Sequence, residues 1–282
     1  MKTSIYIITY SYKGKNLRSV LDNINKNTKN EFSAFVIDQH PLRRNNILPE
    51  SDKFYYRHIF WDFIQSPCMY KAYEIEASKS EYIAIVSDDI LLEDGWDEKL
   101  IEFIAGRDIV ISGSGQRRVI QKDIFQLGVE QFPSDGFNLT QYVDRNFIFG
   151  KRDFFINAKY PSDVKYYGEE ELLSLRLFRS GVDVWSAPTN TYIDTQSRTI
   201  ENLYVPYSKY HNYNEAMASI RFTIGQPNEP RTTDQFMEFH RIDFNNLKKI
   251  PFQYQDVEYD PNDLAFQQVD ARKFAAVTKA IY

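Results

Sequence analysis

Residues 82–89 read Tyr-Ile-Ala-Ile-Val-Ser-Asp-Asp. Residues 82–86 are continuously apolar, the pattern of a strand buried on both faces at the centre of a parallel sheet. The run then ends on two carboxylates. In open α/β sheets, ligands bind at the carboxyl ends of the strands. Two adjacent Asp residues there cannot both be buried without a cation or a partner. A hard divalent ion bridging a diphosphate is one solution. A turn in which Asp88 or Asp89 bonds the local backbone is the other.

Outward from this strand, β-like and helix-like runs alternate. Residues 4–9 (SIYIIT) read as a short buried strand. Leu17, Val20, Leu21 and Ile24 recur at helical spacing and predict a helix over 15–27. Residues 32–38 and the aromatic run 54–61 read as further strands. Ser66-Pro67 is a helix start, with Ser66 as cap and Pro67 at the first helical position. Asp97 is placed to cap a helix that Gly106 closes, and 108–112 is the next strand. The rhythm predicts an α/β fold, doubly wound around a mostly parallel central sheet.

The second half is less regular. Residues 113–121 read as a basic loop or edge ribbon, and 146–150 as a short strand. Residues 168–180 form a helix with three glutamates in its first turn, where they complement the helix dipole, and Gly181 ends it. Strands follow over 182–186 and 191–193, and helices over 214–223 and 270–281.

Composition narrows the function classes. The 282 residues are 43% hydrophobic and 26% charged, which is globular and excludes a disordered chain. The net charge of −5 disfavours a general nucleic-acid binder, which would carry a basic stripe. Arg43, Arg44, Arg117 and Arg118 are candidates for a local basic groove, or simply solvated surface. Apolar runs are too short for a membrane span, and residues 1–10 lack the long apolar region of a signal peptide. The lone Cys68 excludes an intrachain disulfide and a cysteine-based zinc cluster. A cytoplasmic protein (host cytoplasm for a viral enzyme), monomeric or homodimeric and with no membrane partner, is expected. The four histidines have no mutual metal spacing, and no P-loop, GxGxxG or GxSxG is present.

Short motifs follow one another in a set order: Ser11-Tyr12-Lys13-Gly14 after the first strand, Gln39 after the second, and Ser66-Pro67 through Lys71 at a helix start. They continue through Ser87-Asp88-Asp89, Gly95-Trp96-Asp97-Glu98, Gly168-Glu169-Glu170, Arg176, Gly181-Val182-Asp183, Pro188 and Arg231-Thr232. Their order resembles the GT-A fold of nucleotide-sugar glycosyltransferases. More narrowly, the resemblance is to the cytosolic N-acetylglucosaminyltransferases that modify hydroxyproline on a ubiquitin-ligase adaptor. It covers roughly residues 3–244, which implies a catalytic domain over 1–244 and an extension over 245–282 that packs on the core or on a partner. Ser87 replaces the family's first metal-site Asp, Asp89 and Asp194 stand where it has His, and Lys71 stands where it has Arg.

The resemblance implies a retaining, metal-dependent transfer of a GlcNAc- or glucose-like sugar from a UDP-sugar to a hydroxyl. The acceptor would be protein hydroxyproline, a saccharide or a hydroxymethylated base in DNA. Asp89 and Asp194, with Asp88, would hold Mn²⁺ or Mg²⁺. Thr9, Ser11, Tyr12, Asp38, Gln39, Asp88, Trp96, Lys71 and Arg198 would hold the nucleotide. Glu169, Glu170 and Lys71 would stand at the reacting sugar. A non-catalytic nucleotide-sugar-binding module is the alternative, favoured by Ser87.

Overall fold

The computed structural model describes residues 3–11, 17–38, 47–59, 67–113, 115–121, 124–132, 135–140, 142–164, 168–195, 219–220, 222–226, 230–240, 242–243 and 248–249. Strand β1 (Ser4–Ser11) leads into helix α1 (Leu17–Asn27), then β2 (Glu31–Asp38) and β3 (Phe54–His58). Helix α2 (Pro67–Ala77) returns the chain to β4 (Tyr82–Ser87). Short β5 (Ile90–Leu92), α3 (Trp96–Ile104) and β6 (Ile109–Ser112) follow. A ribbon of β7 (Gly115–Gln121) and β8 (Ile124–Phe132) precedes β9 (Asn138–Leu139) and β10 (Phe147–Lys151). The order ends with α4 (Arg152–Asn157), α5 (Glu169–Arg179), β11 (Asp183–Ser186), β12 (Tyr192–Asp194), α6 (Thr233–His240), β13 (Ile242–Asp243) and β14 (Lys248–Lys249).

Eight strands form one sheet in the order β3-β2-β1-β4-β10-β6-β11-β9. The β1–β2, β2–β3, β1–β4 and β6–β11 pairings are parallel. The wholly buried strand β4 sits centrally, as its unbroken apolar run predicts. The sheet is nevertheless mixed, because β10 runs antiparallel between β4 and β6 and β9 runs antiparallel on β11. One face is covered by α1 and α3 through Leu17, Val20, Leu21, Ile24, Trp96, Leu100 and Ile104. The other is covered by α2, α4 and α5 through Ala72, Ile75, Phe155, Leu173 and Leu177. Helices on both faces make the architecture doubly wound.

Two helix starts differ from expectation. Helix α3 is preceded by Gly95 in the left-handed region, with no side-chain cap. Asp97 lies one residue into the helix, where it is fully buried and does another job. Its carboxylate accepts the amides of Lys29 and Asn30 and the Asn30 side chain at 2.7–3.1 Å, pinning the turn between α1 and β2. Helix α5 starts after Gly168, whose φ of 81° suits a residue without Cβ. Its glutamates do not form a solvated first turn, because Glu169 and Glu171 are buried. Residues 113–121 take the ribbon option. The expected helix over 270–281 and all of 245–282 except β14 lie outside the described residues. Much of the 214–223 helix does too. No helix among the described residues is long and apolar enough to cross a membrane.

Candidate functional site

The chain passes outward from β1 to β2 and β3, then returns to place β4 on the other side of β1. The carboxyl ends of β1 and β4 therefore flank a topological switch point, the place where such sheets bind ligands. Ser11 ends β1, Asp38 ends β2 opposite it, and Ser87 lies opposite Tyr10. Successive strand residues point to opposite faces, so Tyr10 and Ser11 serve two different groups of side chains.

On the α1 and α3 face, the Ser11 hydroxyl donates to Asp88 Oδ2 at 2.5 Å, and the Asp88 amide donates to the Tyr10 carbonyl at 3.2 Å. Tyr56 on β3 donates its phenol to Asp38 Oδ2 at 2.7 Å. Asp38, Ser11 and Asp88 are all buried, so these hydroxyls meet part of the hydrogen-bonding need of two charged groups. Thr9, two residues back on the same face, is buried and its hydroxyl has no partner among the described residues.

On the α2 and α5 face lies a buried ion pair. Lys71 Nζ donates to Glu169 Oε1 at 2.9 Å, the two side chains being 1% and 3% exposed. Tyr160 donates to the same oxygen at 2.5 Å, and the Lys71 ammonium stands 3.9 Å above the Tyr10 ring. Burial, and then the Glu169 charge, push the Tyr160 phenol and the Cys68 thiol well above their ordinary ranges. Cys68 is thus an inert, buried thiol. Glu170 points elsewhere and accepts the Arg145 amide at 3.2 Å.

The third group is built by backbone pairing. Strands β5 and β12 form a two-stranded ladder that sets Asp194 opposite Ile90. The next residue, Thr195, donates its amide and its hydroxyl to the Asp89 carbonyl at 2.8 and 2.7 Å. The backbones of Asp89 and Asp194, 105 positions apart, are therefore brought to the same end of this ladder, one half-buried and the other exposed. Among the described residues, no three His, Cys, Asp or Glu side chains form a group that could hold a metal ion. A Mg²⁺-type ion needs only one or two carboxylates when substrate phosphate oxygens and water complete its shell. Asp89 and Asp194 supply the oxygen donors that such an ion takes, from neighbouring rather than directly opposed positions of the ladder.

Trp96 stands apart from this edge. Its indole is wholly buried, packs edge-to-face on Phe147 and Phe149, and donates to the Thr28 hydroxyl at 3.2 Å. It is part of the core. Tyr12, Gln39, Arg198, Arg43 and Arg44 lie outside the described residues, and Arg117 and Arg118 belong to β7, whose backbone alone is described.

Four residues at this edge carry no sequence signal: Tyr10, Tyr160, Ser112 and Asp144. The Asp144 amide donates to Ser112 Oγ at 2.5 Å, and the Asp144 carboxylate accepts the Asn146 amide at 2.9 Å. A Cβ on Gly113 would come 2.8 Å from Asp144 Oδ2 and 3.1 Å from the Tyr192 hydroxyl. Gly113 is thus the residue that lets Asp144 and β12 close together. Gly113→Ala is expected to cost about 1–3 kcal/mol, as overpacking does. Urea unfolding measures it, and an unchanged midpoint would mean that Asp144 and Tyr192 have room to retreat.

By sequence the chain matches no protein-family model and no curated protein. By structure it is similar to S. aureus TarS, whose crystal structure aligns with a TM-score of 0.55 at 14% identity. The alignment covers 86% of this chain and 42% of the TarS chain, so this chain spans less than half of TarS. The likeness is one of fold.

Proposed function

We propose that this chain is a metal-dependent glycosyltransferase that moves a GlcNAc- or glucose-like sugar from a UDP-sugar to a hydroxyl acceptor. The observation that supports this best is the convergence of Ser11, Asp38, Asp88 and the Asp89–Asp194 ladder on one switch point. They do so in a sheet that shares its fold with TarS, a glycosyltransferase. Nucleotide-sugar chemistry needs negative charge stabilised on a departing diphosphate, and a Mn²⁺ or Mg²⁺ ion between Asp89 and Asp194 would supply that stabilisation.

The chain's own residues divide the remaining work. Ser11 and Asp88 form the floor under the ribose, and Asp38, held by Tyr56, lies on the base side with Thr9 behind it. Tyr12, Gln39 and Arg198 keep their roles as nucleotide contacts in this reading. Glu170 faces the sugar and acceptor. Glu169 is fixed by Lys71 and Tyr160, so Lys71 acts through Glu169 as a positioning residue rather than on the diphosphate. Trp96 is assigned to the scaffold. Residues 1–244 form the catalytic unit and 245–282 the extension.

Among the described residues Asp88 is held by Ser11, which leaves Asp89 and Asp194 as the carboxylates for the ion, so metal and nucleotide should bind together. Mn²⁺ affinity is expected to rise when UDP is present, and UDP affinity when Mn²⁺ is present, by the same factor. Asp194→Ala should weaken Mn²⁺-dependent UDP-sugar binding about tenfold, or about 1.4 kcal/mol, with the melting curve unchanged. Titration calorimetry reads both, and wild-type affinity in the variant would leave Asp194 as a turn residue. UDP release from UDP-GlcNAc and UDP-glucose tests transfer itself. Affinity without release would favour a non-catalytic binding module. Product analysis with a hydroxyproline peptide, an oligosaccharide and hydroxymethylated DNA separates the acceptor classes. The anomeric coupling constant of the product tests the retention that the resembling family implies.

A further inference from the structure

At the opposite, amino edge of the sheet lies a trough of about 520 Å³ between the edge strand and the end of α2. This is within the size range of small-molecule sites, about 300–1,000 Å³. We propose that it is a second, non-catalytic binding site for a neutral oligosaccharide. It lies on the other face of the sheet from Ser11 and Asp38, and its nearest floor ring, Phe35, is about 10 Å, three strand residues, short of the carboxyl edge.

Three aromatic rings form its floor. Tyr6 on β1, Phe35 on β2 and Tyr55 on β3 point to the same face, because Tyr6 pairs with Ser33 and Phe35 pairs with Tyr55. Tyr55 is 55% exposed, so a broad ring surface remains open. Flat aromatic surfaces with a few placed polar groups suit ligands that are apolar on one face and polar at the rim.

The rim is polar and under-used. Ser4 Oγ accepts the Glu81 amide at 3.3 Å, and Ser78 Oγ accepts the Ser80 amide at 3.1 Å. Among the described residues neither hydroxyl donates a bond, and the Ser33 and Ser80 hydroxyls make none. Glu74 accepts the Tyr6 phenol on one oxygen at 2.6 Å, and its other oxygen accepts nothing from the described residues. Burial and this bond push the Tyr6 phenol upward, so it stays a neutral donor to Glu74. Donors and an acceptor therefore alternate beside the rings, which matches the hydroxyls of a sugar, since each both donates and accepts. The lining carries one carboxylate, Glu74, and one ammonium, Lys79, so it offers an anionic ligand no net positive charge. A proline-rich peptide also stacks on aromatic grooves, but its prolines have no N–H to offer Glu74.

The test is titration calorimetry of the full chain with cello-, malto-, chito- and mannotetraose and with a proline-rich decapeptide. At least one tetraose should bind below about 10 mM. Tyr55→Ala should weaken that binding about tenfold or more, as loss of a ring at a site's centre does. Glu74→Ala should weaken it too, with a small fall in melting temperature as the Tyr6 phenol loses its acceptor, while Tyr55→Ala keeps the wild-type melting curve and both variants keep UDP-sugar turnover. Any of four results would overturn the proposal: no tetraose binding, binding indifferent to both variants, preference for the peptide, or a change in oligomeric state with Tyr55→Ala. None of these bears on transfer at the carboxyl edge, so the two readings fail separately.

Discussion

Lys71→Met is expected to cost about 3–5 kcal/mol of folding stability, the penalty for leaving a buried charge without its partner. Glu169 is 3% exposed, and its Oε1 is held only by Lys71 and Tyr160 among the bonds described above. Removing the ammonium leaves a carboxylate on the Tyr160 phenol and the weakly donating Cys68 thiol, in a place water does not reach. The melting temperature should fall by roughly 10 °C. The companion double variant, Lys71→Met with Glu169→Gln, should recover most of the loss, because removing both charges together is often nearly neutral. If Lys71 serves as a positioning residue, the double variant also retains nucleotide affinity. A direct diphosphate contact would instead leave it stable but unable to bind. A single variant that unfolds in urea at the wild-type midpoint would show that the pair is not energetically coupled.

Asp89→Ala is expected to lower kcat/KM for UDP-sugar turnover about 1,000-fold, or about 4 kcal/mol of transition-state stabilisation. The carboxylate is the better-sheltered member of the pair, half-buried at the switch point, whereas Asp194 is exposed. Its removal should leave the local backbone in place, since Thr195 bonds the Asp89 carbonyl and not its side chain. The melting curve should therefore hardly change. Turnover within threefold of wild type would remove Asp89 from the reaction and, with it, the metal role proposed for the ladder.

These residues differ in how far sequence alone could place them. The strand over 82–86 and the helix carrying Leu17, Val20, Leu21 and Ile24 were legible because a continuous apolar run and a 3.6-residue period are local signals. The antiparallel direction of β10 was not, since a five-residue strand carries no mark of its partners. The Asp89–Asp194 meeting is similar: two three-residue strands pair across 105 positions, and no period survives in so short a run. The acidic start of α5 suggested a solvated helix end. Lys71, 98 positions earlier, reverses that for Glu169, and such a partner is invisible to local pattern. Trp96 misled through its motif. Its role as a nucleotide contact comes from the resemblance alone, and in the structure it fills the space under Phe147 and Phe149.

The place of β10 in the sheet also sets an order of events during synthesis. Strands β4 and β6 are complete by residue 112, but they never touch each other. The strand that joins them emerges only with residues 147–151. Until then the nascent chain carries the open edges of β4 and β6, with the β7–β8 ribbon already following. Unpaired apolar edges recruit other chains, and non-local pairings are slow to form. The synthesis of some 35 residues between β6 and β10 is thus an interval in which unpaired apolar edges stay open, and β6 keeps its second edge open until β11 follows at 183–186.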